Sequence, residues 1–127
     1  MFLSITGVTP DNKIAKYQPF TLEADAIAHA LEYNGFSAPD PGGIMEFWVV
    51  DTVAKTVTQD TVTETATLTA RAWDRVRSKR NALLAATDYR FRSDQTPSAA
   101  WVTYSQALRD ITTQADPSNI TWPTEPV

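Results

Sequence analysis

Cysteine is absent from the chain, and that excludes two architectures at once. No disulfide can staple the fold and no thiolate can hold a metal, which suits an intracellular or virion setting. Long apolar runs are absent too: none approaches the roughly 18 residues of a membrane span. The start, "MFLSITGVTP", has neither a basic opening nor an apolar stretch long enough for a signal peptide, so none is expected. The sequence reads as a soluble protein.

What is present suffices for a core. At 127 residues and 43% hydrophobic, the chain fits one ordinary domain, or a small domain with a helical appendage. The net charge of −4 is unevenly spread. Residues 1–70 hold three lysines against nine acids, whereas residues 71–92 hold seven cations against Asp74 and Asp88. From residue 93 onward Arg109 faces four acids. A basic stretch of this kind marks an anion-binding face, or a helix that complements its own acidic partner domain or stays solvated; the second is the plainer reading.

"FTLEADAIAHALEYNG" is the first clear helix, with Thr21 as expected cap, Glu23 and Asp25 at the positive end of the dipole, and Gly35 as left-handed stop. Ala26, Ile27, Ala30 and Leu31 give it one narrow apolar face. Pro39, Pro41, Gly42 and Gly43 force a loop. "IMEFWVVDTVAKTVTQD" then reads as a β-hairpin turning near Asp51 to Lys55. Met45, Phe47 and Val49 alternate with Ile44, Trp48 and Val50, so both faces of that strand are expected to be covered. "TVTQDTVTET" keeps a period of two, its first half expected as strand and its second as spacer; a glycosylated stalk is set aside because acids and valines intervene.

Helical spacing resumes at "TATLTARAWDRVRSKRNALLAATDYR", where Leu68, Ala72, Val76, Leu83 and Leu84 form a seam beside Trp73. After "RSDQTPSAA", with Thr96 as expected cap and Pro97 at the first helical position, Trp101, Tyr104, Leu108 and Ile111 fall at helical spacing. The short connection implies an antiparallel helical hairpin packed along those seams. Beyond it, Pro117, Pro123 and Pro126 punctuate an extended tail that carries Ile120 and Trp122.

Catalytic constellations are not recognisable. His29 is the single histidine, sits inside a helix without an obvious acid partner, and reads as a surface or packing residue rather than a base. No serine lies in a nucleophile elbow, "DPGG" is a turn rather than a phosphate cradle, and no acid spacing matches a calcium loop. "NIT" at Asn119 matches a glycosylation acceptor, yet nothing points to secretion. Arg71, Arg75 and Lys79 form a stripe that could touch phosphates, but the acidic total and the lack of a nucleic-acid module argue against that role. The expectation is a protein that is not an enzyme, has no cofactor or metal, and acts by binding.

"VRSKRNALLAATDYR", "PSAAWVTYSQALRDI" and "NITWPTEP" occur in that order over about residues 71–126. Together they resemble the shared segment of bacteriophage tail fibre assembly proteins, also called tail assembly chaperones. Arg77, Arg80, Leu83, Leu84 and Asp88 match its first helix. Trp101, Tyr104, Ala107, Leu108, Arg109 and Asp110 match its second, and Asn119, Ile120, Trp122 and Pro123 its tail. Tyr89, Ser105 and Thr112 depart from the usual tryptophan, arginine and proline. The N-terminal half carries no equally sharp motif.

The resemblance implies a chaperone that binds the trimeric tail fibre or its receptor-binding tip and assists its folding and trimerisation. It places the protein in the host cytoplasm during phage assembly, with retention in the virion left open. A permanent structural component of the tail fibre or baseplate is the alternative. The expected fold is α+β: an N-terminal helix-plus-hairpin domain over residues 1–62, then the helical hairpin and Pro-rich tail over 63–127. Trp48, Arg77, Arg80, Ile120 and Trp122 are the candidate partner-binding residues, with no nucleic-acid, membrane or small-molecule partner expected. The tail is either a strap across its own helices or an arm offered to the client.

Overall fold

The computed structural model describes every residue, Met1–Val127. It is mixed helix and sheet, as the sequence led us to expect, and divides into two compact units, Met1–Glu64 and Thr65–Val127. The N-terminal unit opens with β1 (Phe2–Val8) and β2 (Ile14–Phe20), an antiparallel hairpin. Its turn is closed by Thr9, whose N–H donates to the Lys13 carbonyl while its hydroxyl donates to Asp11. Asn12 takes the positive φ of 61° there, a conformation that asparagine tolerates. Helix α1 (Glu23–Glu32) follows, then β3 (Phe36–Pro39), which pairs antiparallel with β1 to give the sheet order β2-β1-β3.

The two faces of this sheet have different covers. Leu3, Ile5 and Ala38 form one cluster with Trp48, Val50 and Val57 of a second hairpin, β4 (Trp48–Asp51) and β5 (Thr56–Gln59). Ser4 points the other way and meets His29 of α1, whose Ala26 and Ala30 are buried. The sheet is thus the middle layer of three.

Several local expectations are corrected. The β4 strand starts at Trp48, because Met45–Phe47 is a 3₁₀ turn. The expected face of Met45, Phe47 and Val49 is therefore divided: Phe47 is buried from within the turn, Met45 is exposed, Val49 is half-buried, and the neighbouring Thr56 and Thr58 face solvent. Leu22, not Thr21, occupies the cap of α1 and makes no side-chain capping bond. The left-handed residue ending α1 is Asn34 (φ 55°), after which the Gly35 N–H bonds back to the Ala30 carbonyl at 2.8 Å.

Helix α2 (Thr61–Thr87) begins earlier than its apolar seam suggests, inside the segment read as a spacer. Asp60 starts it: its carboxylate accepts the Thr63 N–H at 3.0 Å and the Thr63 hydroxyl at 2.7 Å. Those bonds hold the Asp60 carboxyl below its ordinary value. A 3₁₀ turn over Asp88–Phe91 leads to α3 (Ala99–Arg109), where Ser98 rather than Thr96 takes the cap position and makes no side-chain capping bond. Leu68 of the expected seam is 39% exposed, while Ala72 and Val76 are buried.

Gly35 is required for space rather than for conformation. A Cβ placed there would fall on the Ile5 carbonyl oxygen, backbone that cannot move without disturbing β1. Gly35→Ala is expected to destabilise the N-terminal unit by about 3 kcal/mol or more, the upper end for overpacking. Denaturant unfolding followed by circular dichroism checks this; an unchanged midpoint contradicts it.

Candidate functional site

In the C-terminal unit the core is built from few large side chains. Trp101, Tyr104 and Leu108 of α3 are buried, and Leu83 and Leu84 of α2 and Trp122 of the tail pack against them. Trp101 and Tyr104 meet edge to face, with ring centres 5.7 Å apart. Past Arg109 a 3₁₀ turn over Asp110–Thr113 buries Ile111. Residues 120–127 form neither helix nor strand. They are returned to the helices by Gln114, whose Oε1 accepts the Thr121 N–H at 2.8 Å and whose Nε2 donates to the Thr121 carbonyl at 3.0 Å. This pair of bonds serves the backbone of an extended segment as a neighbouring strand would.

Cations complete the arrangement. The Lys79 ammonium stands 4.3 Å from the Trp122 ring centre, and the Arg90 guanidinium 3.7 Å from that of Trp101. Both distances lie within cation–π range. Part of the basic stretch thus serves the unit's own aromatics, a role that the reading of its charge did not foresee. Burial, aided by the Glu125 carboxylate, pushes the Tyr104 phenol above its ordinary 10.0.

Between the outer side of α3 and the end of the tail lies an open, mostly apolar groove of about 530 Å³. Ala99, Ala100, Thr103, Tyr104 and Ala107 form its helix wall, and Pro123–Pro126 the other. The wall is low because α3 presents alanine and threonine there, and the prolines keep the facing segment extended.

The five residues expected to bind a partner fall in different places. Arg77 and Arg80 are on α2; Arg77 pairs with Asp74 at 3.2 Å, with both side chains largely exposed, and Arg80 donates twice to the Asn81 side-chain oxygen. Ile120 and Trp122 are half-buried on the tail, with Trp122 turned onto the unit's own core. Trp48 lies in the other unit, 6% exposed, its indole N–H donating to the Gly42 carbonyl at 2.7 Å. The structure therefore turns Trp122 onto its own core, leaves Ile120 half-buried on the same tail, and keeps Trp48 inside the other core. Lys79, Arg90 and Gln114 were missed. The first two carried a signal, as cations on a helix in a chain with four tryptophans; a Gln–Thr clamp across seven residues has none.

His29 has a partner that sequence could not show. Its Nδ1 and the Ser4 hydroxyl share a hydrogen bond of 3.0 Å, and its ring lies against Phe20 and Tyr33. Ser4 has no exposed surface, so no substrate carbonyl can reach its oxygen; the contact satisfies a buried hydroxyl.

By its form, then, the C-terminal unit is a pair of helices strapped by the tail, with an apolar groove between α3 and the end of that tail. Residues 73–127, all of that unit but its first eight residues, match the family model of the phage tail assembly chaperone protein. The match agrees with the resemblance in the three sequence segments. No curated protein and no solved structure matches the chain. No helix is long and apolar enough to cross a membrane.

Two outcomes follow from the strap. Trp122→Ala should cost about 2 kcal/mol of unfolding free energy, less than a fully buried aromatic, and Lys79→Ala about 0.5–1 kcal/mol. Urea unfolding of the full chain measures both; wild-type midpoints would show the strap to be idle. The Tyr104 phenol is harder to ionise in the folded chain, so its contribution is whole below pH 10.0 and is lost as pH rises past that value. Melting temperature should fall in that alkaline window, and fall less for Tyr104→Phe.

Proposed function

We propose that the chain is a tail fibre assembly chaperone, binding the fibre or its receptor-binding tip and assisting folding and trimerisation without covalent chemistry. The observation that carries this reading is the family match over residues 73–127. The groove of that same segment gives it a physical means. A trimeric β-rich fibre exposes apolar surface and strand edges before its chains close on one another. A small folded partner with an open apolar groove shields such surface, and trimer closure then displaces it.

In this reading the groove wall on α3 and the end of the tail make the apolar contact. Ile120 and Trp122 hold the tail in place and border the contact. Arg77 and Arg80 lie on a stretch of net positive charge and serve acidic positions of the client. The Arg77–Asp74 pair is exposed on both sides, so exchanging it for a client carboxylate costs little. Trp48 is left out of the contact because its ring is buried. The protein acts in the host cytoplasm during phage assembly.

The test is co-expression of the fibre protein with wild-type chain, with Ala100→Glu and with Thr103→Glu. Both positions are exposed, so neither change should shift the melting temperature. Wild type should raise the yield of soluble trimeric fibre, and each variant should lower it about tenfold, the effect of losing a central contact. Equal yields with and without the chain would refute the proposal. Finding the protein in purified virions at one copy per fibre subunit, with no effect on fibre folding, would favour a permanent structural component.

A further inference from the structure

The three-stranded sheet ends on β3, with one side of that strand unpaired. Which backbone groups face outward follows from the alternation of an antiparallel ladder. The Asp40 N–H donates to the Met1 carbonyl at 3.1 Å, so Leu3↔Ala38 and Ile5↔Phe36 are the hydrogen-bonded pairs that follow. Phe2↔Pro39 is then a pair that needs no amide, as proline demands. Ser37 turns both its N–H and its carbonyl away from β1, and no other backbone pairs with them.

The side chains around this point form a trough. Ser37 lies opposite Ser4, on the α1 side of the sheet. There α1 leaves Ile27 42% and Leu31 73% exposed, although both belong to its apolar face. A depression of about 190 Å³ lies among Ile27, Leu31, Phe36, Ser37 and Lys55. A strand added along this edge would make both of its hydrogen bonds at the residue opposite Ser37. That residue's side chain would project to the α1 side, onto Ile27 and Leu31, and its neighbours would face Lys55.

We propose that the outer edge of β3 takes up one short extended strand of the client by strand addition, with an apolar side chain seated against Ile27 and Leu31. Charge argues for a neutral strand, because Lys55, the one charged side chain lining the depression, disfavours a basic one. It also argues against a second copy of this chain: the N-terminal unit carries nine acids against three lysines, so two copies would repel. Pro39 keeps the added ladder short, which suits a hold that is later released. That the strand comes from a tail protein rests on the chaperone reading above; the capacity of the edge does not.

The probe is a short neutral peptide alternating valine and threonine, flanked by glycine and serine, titrated into the full-length chain and followed by amide NMR and hydrogen exchange. The Ser37 amide should shift and become protected. Leu31→Glu, at a largely exposed position, should weaken binding about tenfold or more, and Ser37→Pro, which removes the outward N–H, should abolish it. A Ser37 amide unmoved by the peptide overturns the proposal. So does one protected without peptide in a concentration-dependent way, which would identify a second copy as the occupant. Peptide bound at Ser37 with no gain in fibre yield supports the strand site while refuting the chaperone reading. Fibre yield raised by wild type and Leu31→Glu alike, with Ser37 unprotected, does the reverse.

Discussion

The indole of Trp122, laid on Trp101, Tyr104 and Leu108 and covered by the Lys79 ammonium, is the contact on which the C-terminal unit depends. Two helices that touch through a handful of side chains have a narrow core, and a third element is needed to close it. The tail supplies that element without regular structure. Its backbone is held by the Gln114–Thr121 bonds, and its freedom is reduced beforehand by Pro117, Pro123 and Pro126. The tail also has a second consequence. By lying beside α3 it turns a helix face of small residues into one wall of a groove.

The N-terminal unit follows another logic. Its central sheet is covered by α1 on one face and by the β4–β5 hairpin on the other, so its core is complete. What it leaves uncovered is an edge. β3 is short and ends in proline, which protects it against uncontrolled pairing, yet Ser37 keeps one donor and one acceptor facing outward. The two units thus offer different chemistry: one an apolar groove, the other a hydrogen-bonding edge beside exposed Ile27 and Leu31.

Much of the C-terminal unit was legible because its signals are local. Trp101, Tyr104 and Leu108 repeat at helical spacing, and the three family segments stand in order. The start of α2 was not legible from period alone, since threonines at every second position imitate a strand; the cap at Asp60 decides it. In the N-terminal unit, the bounds of β1 and β2 were not legible because Gly7 and a bulge interrupt their alternation. The faces of β4 were misjudged because Met45–Phe47 is apolar sequence folded as a 3₁₀ turn. Contacts between distant residues, such as Ser4 with His29 or Gln114 with Thr121, leave no periodic trace at all. Trp48 illustrates the limit: an aromatic in a strand can serve core or partner, and only the hydrogen bond to Gly42 and its burial assign it to the core.

In the proposed function the client sits in the groove between α3 and the tail. Hydrogen exchange on the isolated complex of this chain with the fibre protein, against the free chain, addresses it directly. The account predicts slower exchange over residues 99–107 and in the tail after Trp122, with the rest of the C-terminal unit unchanged. Client binding that leaves both segments exchanging as in the free chain would contradict it.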